Sequence, residues 1–230
     1  MMRGSMFLLG VLLSLTPAAR AGDLVVAGAT GTALRPGQIV DDSQTLVLKE
    51  GEQVKLIAAD GSVRTLHGPY NQAPAKADTG ATNEVSTALA SLMTGQRSEY
   101  GVVRSKTQDV VLPNAWVVDI SHSGKACVRT GIPVVFWRAE SGSEAVLHIV
   151  PTDRSWRAEA PWPKDAATLD APANFTITAR RTYLFDLGGQ NAAVTLIGVP
   201  DSLTNDRMRA AWMLENNCVN QTQALLKTLN

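Results

Sequence analysis

Residues 45–70 read TLVLKEGEQVKLIAADGSVRTLHGPY, and apolar and polar side chains alternate along most of this stretch. A period of two is typical of β-strands that bury one face. Asp60-Gly61 is expected to form a two-residue hairpin turn, in which both positions need positive φ. Gly68-Pro69 should end the last strand. The stretch predicts a small antiparallel sheet, with a buried face formed by Leu46, Leu48, Val54, Leu56, Val63 and Leu66.

A second pattern begins further along the chain. Between residues 110 and 199, about eight short apolar runs are separated by Pro, Gly, Asn, Asp or Ser, which is typical of a β-sandwich. Pro161 and Pro163 flank Trp162, so this tract is expected at a sheet edge or at a crossing between sheets. Residues 71–109 carry little periodicity and are interpreted as a linker with one short helix at about residues 83–94.

After residue 200 the apolar period changes from 2 to 3.6, which predicts two amphipathic helices. Asp201 or Thr204 is expected to cap the first helix, and Asn216-Asn217 to supply the left-handed turn that ends it. The chain is therefore predicted to be mainly β: a small antiparallel β domain over residues 22–70 and a β-sandwich over 110–199. A C-terminal helical hairpin over 200–230 should pack on the sandwich.

The first 21 residues have the pattern of an export signal. Arg3 precedes an apolar run of ten residues, Met6–Leu15, and Ala19 and Ala21 form a small-x-small cleavage pattern. A run of ten is much shorter than the roughly 20 residues that cross a bilayer. We expect cleavage before Gly22, leaving a soluble periplasmic or secreted protein without a membrane span.

Composition excludes some classes of partner. The chain has 230 residues, with 21 Lys plus Arg against 21 Asp plus Glu. This balance argues against nucleic acid as a partner. With 45% hydrophobic and 18% charged residues, the chain can bury a core of one large domain or two small ones.

Cys127 and Cys218 are the only cysteines. In an oxidising compartment we expect them to pair, and the chain-entropy model gives such a bond roughly 4–5 kcal/mol of stabilisation. Two alternatives remain open, namely buried free thiols and a nucleophilic cysteine near a histidine and an acid.

The motifs that suggest catalysis are weak. The stretch LVVAGATGTA at residues 24–33 has the glycines of a dinucleotide-binding turn, but Pro36-Gly37 stands where the following helix would begin. Asp119, Ser121 and His122 contain the atoms of a hydrolase triad, without a nucleophile-elbow motif. The three histidines lack metal-ligand spacing. We therefore expect no catalytic residues, no metal and no cofactor.

Aromatic residues supply the candidate ligand contacts. Exposed tryptophan faces bind sugars, and arginines that follow them can stack on aromatic rings. The candidates are Trp137, Arg138, Trp156 and Trp162. The alternative is that these tryptophans are buried between the sheets.

The stretch LVLKEGEQVKLIAADGSVRTLHGPY resembles the FecR-type domain of bacterial exported proteins. The match lies at Leu48, Gly51, Val54, Leu56, Asp60, Gly61, Leu66, Gly68, Pro69 and Tyr70. The remainder of the chain resembles the second half of uncharacterised exported proteins that carry such a domain.

The resemblance implies a non-catalytic extracytoplasmic module that works through protein or envelope contacts. Sigma-factor regulation does not carry over, because the chain lacks the cytoplasmic segment and membrane span of FecR regulators. We expect a binding or scaffold protein, not an enzyme, with an envelope protein as partner. The alternatives are a glycan-binding module that uses exposed tryptophans and a secreted hydrolase with an unrecognised site.

Overall fold

The computed structural model describes residues 22–76, 87, 89, 110–173, 175, 178 and 180–229. The expected export signal lies outside these residues, as do most of the expected linker and most of its helix. Thr87 and Leu89, the two described residues of that predicted helix, are both helical.

Six strands form the N-terminal β unit, in two small sheets. They are β1 (Asp23–Thr30), β2 (Ile39–Asp41), β3 (Leu46–Leu48), β4 (Gln53–Ile57), β5 (Val63–His67) and β6 (Tyr70–Gln72). One sheet is antiparallel with the order β2-β1-β4-β5, and the other pairs β3 with β6. A 3₁₀ turn at Pro74–Lys76 follows. The glycine-containing stretch at residues 24–33, which resembles a nucleotide-binding turn, lies mainly in β1.

The turn between β4 and β5 is longer than the sequence prediction. The Gly61 N–H donates to the Ala58 carbonyl at 2.9 Å, and the Ala58 N–H donates to the Ser62 carbonyl at 2.9 Å. Of the Asp-Gly pair only Gly61 has positive φ, at 84°. The Asp60 carboxylate instead accepts the Ser62 N–H at 2.8 Å, which favours a longer loop closed by a left-handed glycine. The prediction of a two-residue turn at Asp60-Gly61 was therefore wrong.

The four-stranded sheet buries both of its faces. One face forms a small core with the β3–β6 pair, made of Leu24, Val26, Leu48, Val54, Leu56 and Leu66, with Leu46 packed beside it. Val63 belongs to the other face, with Val25, Ala27 and Ile57, and this face packs against the C-terminal helices. The prediction of one shared face for Val63 and Leu66 was wrong, because residues three apart on a strand lie on opposite faces; Val63 pairs with Ile57 and shares its face.

A sandwich of eight strands follows, as predicted. Its strands are β7 (Val117–Asp119), β8 (Gly124–Arg129), β9 (Val135–Trp137), β10 (Ala145–Pro151), β11 (Ala158–Trp162), β12 (Thr168–Asp170), β13 (Arg181–Leu187) and β14 (Gln190–Val199). A five-stranded sheet with the order β11-β10-β13-β14-β8 packs on a three-stranded sheet with the order β12-β9-β7. The proline-rich tract forms β11 at the edge of the larger sheet, in agreement with the prediction for Trp162.

Two helices close the chain: α1 (Asp206–Glu215) and α2 (Val219–Leu226). The residue that caps α1 is Asn205, whose side-chain oxygen accepts the Met208 N–H at 3.0 Å, so neither Asp201 nor Thr204 is the cap. Asn217 takes the left-handed conformation with φ of 62°, as expected for the turn between the helices.

The helical hairpin packs on both β units. Helix residues Met208, Trp212 and Leu225 share one core with Val63 of the four-stranded sheet and Ile197 of the sandwich. Three polar contacts reinforce the N-terminal side of this arrangement. The Lys55 ammonium pairs with the Glu215 carboxylate at 2.7 Å, the Asn205 amide donates to the Ala59 carbonyl at 2.9 Å, and the Ser202 hydroxyl donates to the Gly37 carbonyl at 2.7 Å.

Two further links fix the hairpin to the sandwich. Cys127 in β8 and Cys218 at the start of α2 form a disulfide, and both side chains are buried. One turn into α2, the buried Gln221 side chain accepts the Cys127 N–H at 2.6 Å and donates to the Cys127 carbonyl at 2.8 Å. It also donates to the carbonyls of Ala115 and Val117 at 3.0 and 3.1 Å. The Gln221 amide thus makes the contacts to the Cys127 backbone that a neighbouring strand would otherwise make beside β8.

Within the described residues, neither helix is long and apolar enough to cross a membrane.

Packing of the β4–β5 turn on α1 can be tested at Gly61. A Cβ atom there would lie 2.9 Å from the Arg207 carbonyl oxygen, whereas a Cβ at Gly51 would have no neighbour within 4 Å. Both glycines have positive φ, so alanine strains the backbone by about 1–2 kcal/mol at either position. Gly61→Ala should cost a further ~1–3 kcal/mol because the turn must move away from α1. Urea unfolding of the two variants measures the difference, and equal losses would contradict the packing.

Candidate functional site

Two of the predicted ligand contacts, Arg138 and Trp162, come together inside the protein. The Arg138 guanidinium lies 5.0 Å from the centre of the Trp162 ring, and the two residues are only 3% and 1% exposed. Arg138 donates to four carbonyl groups, those of Pro163 and Ser143 at 2.8 Å, Ala166 at 3.1 Å and Ser141 at 3.4 Å. The pair therefore ties the loop after β9 to the loop after β11, and its surfaces are not open to a ligand.

The other two predicted contacts lie apart from this pair. Trp137 is 9% exposed and packs in the core shared with the helices. Trp156 is half-buried and lies against Phe175 and Tyr183, with ring centres 6.0 Å apart in each case. Burial of Trp137 and Trp162 removes these two rings as candidate glycan contacts, whereas Trp156 stays partly exposed. The four residues form no common surface.

Two residues of the triad considered in the sequence, Asp119 and His122, lie in contact. The His122 Nδ1 atom lies 2.8 Å from Asp119 Oδ2, while the Ser121 N–H donates to Asp119 Oδ1 at 2.8 Å. Asp119 ends β7 and His122 lies in the turn before β8, so a tight turn allows a contact that an extended strand would prevent. Asp119 is the only hydrogen-bond partner of the His122 ring among the described residues.

Sequence reasoning missed the outer face of the five-stranded sheet. The helical hairpin covers this face at β8 and β14, where Cys127, Ile197 and Val199 are buried. Over β10 and β13 the face is open, and Val146 and Leu184 are 46% and 39% exposed. The alternation in AVLHIV and TYLFDL was a usable signal, because it places Val146, His148 and Leu184 opposite the buried residues.

A half-open depression of about 330 Å³ lies on this open face. We call it the sheet-face pocket; it is lined by His148, Val150, Arg154, Arg157, Leu184, Phe185, Asp186 and Asn191. The strand register places His148 opposite Asp186, and Val150 opposite Leu184. The pocket therefore combines an apolar floor with five charged or polar side chains.

At the β10–β11 side of the sheet-face pocket, the side chains of Arg157, Glu159 and His148 contact one another. The Arg157 guanidinium contacts Glu159 at 2.8 Å and the His148 ring at 3.1 Å. His148 Nδ1 also lies 3.2 Å from the Glu159 carboxylate. Glu159 therefore compensates the charge of Arg157.

Arg154 differs from Arg157 in having no such compensation. Its side chain makes no hydrogen bond or ion pair with the described residues, although its backbone N–H donates to the Pro151 carbonyl at 2.8 Å. Its φ is 54°, a left-handed conformation that is uncommon for arginine.

The loop that carries Arg154 is anchored by Asp153. Ser155 donates both its hydroxyl and its backbone N–H to the Asp153 carboxylate, and Arg181 of β13 forms an ion pair with the same group. Hydrogen bonds from the Ser155 side chain, with the nearby Arg181 charge, hold the pKa of Asp153 below its usual value. Asp153 therefore stays ionised at neutral pH and holds the loop at the edge of the sheet.

Metal-ligating side chains do not cluster in the part of the chain that the structure describes. There, no group of three or more His, Cys, Asp or Glu side chains is arranged to hold a metal ion.

Comparison with known proteins assigns the chain to no family. No protein-family model matches it, and a search of curated proteins finds no relative. The fold and the sheet-face pocket are therefore interpreted on their own geometry.

A conservative change at Arg138 tests its structural role. Lysine cannot reach four carbonyl groups with one ammonium, so Arg138→Lys should lower the free energy of unfolding by about 2–4 kcal/mol. Arg157→Lys is the matched control, because Arg157 is 61% exposed and its ion pair should contribute less than about 1 kcal/mol. Chemical denaturation of both variants checks this, and a tolerated Arg138→Lys would contradict a structural role.

Proposed function

We propose that this chain is a non-catalytic binding or scaffold protein that acts in the periplasm or after secretion, through contact with an envelope protein. The observation that carries the proposal is the open outer face of β10 and β13. The hairpin covers the other half of the same sheet, so the open half is an exposed surface on a firmly held framework.

Exposed apolar groups make this face suited to a partner. Leu184 and Val150 face each other on this surface, and His148, Arg154, Arg157 and Asp186 line the same depression. Val146 is exposed further along β10, beyond the His148–Asp186 pair. Apolar groups within a polar rim are typical of protein-binding surfaces. Binding there needs no chemical step.

The extracytoplasmic location is supported by two independent features. The buried Cys127–Cys218 disulfide is compatible with an oxidising compartment, where such bonds persist. The first 21 residues have the pattern of an export signal. The resemblance of residues 48–70 to the FecR-type domain agrees with a module that acts through protein contacts.

Affinity capture from envelope extract tests this proposal. Oxidised protein from Gly22 onward should retain a specific protein partner, and Leu184→Lys should reduce its recovery at least about tenfold by placing a charge in the centre of the face. Val47→Lys is the control, because Val47 is 62% exposed on β3, in the N-terminal β unit. The same recovery with both variants would contradict the proposal, and recovery of glycan alone would favour the glycan-binding alternative.

The Asp119–His122 pair favours a second candidate, a secreted hydrolase. A carboxylate that orients an imidazole is one part of a serine-hydrolase site. The proposal of a non-catalytic protein predicts that a fluorophosphonate probe, which reacts with activated serines, does not label the folded chain. Labelling that disappears in His122→Gln would replace the binding function with the hydrolase.

A further inference from the structure

We propose that the sheet-face pocket binds the C-terminal carboxylate of a peptide whose last residue is apolar. The inference rests on the proposed binding function and specifies which part of the partner enters the pocket. Three features of the pocket carry it: an uncompensated guanidinium, an apolar floor and a carboxylate at the opposite end.

Arg154 supplies the cation. It lines the pocket, it has no side-chain partner among the described residues, and its left-handed backbone strains the loop. A strained residue persists only where the surroundings hold it, and Asp153 does so through Ser155 and Arg181. The loop backbone is thereby fixed, and the guanidinium that it carries can bind a carboxylate with two parallel hydrogen bonds.

Leu184 and Val150 form the apolar floor beside this cation. They face each other on adjacent strands, and the loop with Arg154 begins directly after β10. A ligand that uses both features must carry a carboxylate and an apolar side chain close together.

Asp186 lies at the end of the pocket away from Arg154. One of its carboxylate oxygens accepts the Gly189 N–H at 2.9 Å, and the other is available to a donor. It stands two residues along β13 from Leu184, on the same face. In the proposed pose, the terminal side chain lies on the apolar floor and the carboxylate contacts Arg154. The last amide N–H of the extended peptide then lies on the Asp186 side.

This combination distinguishes a peptide C-terminus from other carboxylates. In Asp and Glu the carboxylate is separated from any apolar group by the polar backbone, and in uronic acids it stands beside hydroxyl groups. Among the carboxylates of a protein, only the C-terminus places the carboxylate, an apolar side chain and an amide on one carbon.

Two small probes measure the contribution of the carboxylate. N-acetyl-leucine carries all three groups, and N-acetyl-leucinamide has the same shape without the charge. In ¹⁵N NMR titrations of the oxidised protein, N-acetyl-leucine should shift the amide signals of Leu184, Asp186 and Asn191 with a Kd on the order of 1 mM. The amide should bind at least about tenfold more weakly.

Arg154→Gly separates binding from stability. Glycine relieves the left-handed strain, so the variant should keep its fold, raise Tm by about 2–4 °C and lose the response to N-acetyl-leucine. Arg180→Gly is the matched control. Arg180 has φ of 56° and its guanidinium contacts Asn216 at 3.5 Å, so its removal should relieve similar strain and leave binding unchanged.

Equal binding of the two probes, or full binding by Arg154→Gly, would overturn this inference. So would the absence of any shift around the pocket up to about 20 mM probe, well above the expected Kd. The proposed binding function is tested separately. Loss of partner capture by Leu184→Lys would support that function even if the partner did not bind through its C-terminal carboxylate.

Discussion

The Gln221 side chain is the contact on which the arrangement of the two β units depends. It is 3% exposed; its oxygen accepts the Cys127 N–H, and its two N–H hydrogens are shared among the carbonyls of Cys127 in β8, Val117 in β7 and Ala115 just before β7. Buried backbone groups that lose their partners cost about 1–3 kcal/mol each. With the adjacent disulfide, this amide holds α2 against the sandwich. The same hairpin packs against the four-stranded sheet, with which it shares a core.

This placement also determines which surface remains open. The hairpin is wide enough to cover β8 and β14 but does not extend over β10 and β13, so apolar residues of those strands face solvent. The loop after β10, anchored by Asp153, then places Arg154 beside that surface. The proposed binding function rests on this supported surface and on the cation at its edge.

Sequence patterns predicted the local elements well. The sandwich, the edge position of the Trp162 tract, the disulfide and the helical hairpin follow from alternation, proline, cysteine count and helical period. Patterns failed where burial depends on a distant partner. Val63 lies on the face of β5 that packs against the helical hairpin, opposite Leu66. Trp137 and Trp162 are covered by segments that sequence alone does not bring near. Arg154 carries no local signal, because its left-handed φ depends on the loop that Asp153 anchors to Arg181 of β13.

The most direct test of this account is residue-resolved unfolding of wild type and Gln221→Met. Methionine is similar in volume but lacks the amide, so it should destabilise the protein by at least about 2 kcal/mol. Urea titrations followed by NMR would report Val26 in the four-stranded sheet and Phe185 in the sandwich separately. The account predicts that both signals share one midpoint and move together to lower urea in the variant. An unchanged midpoint for Val26 beside a lowered one for Phe185 would contradict it, because the two β units would then be independent of the hairpin contact.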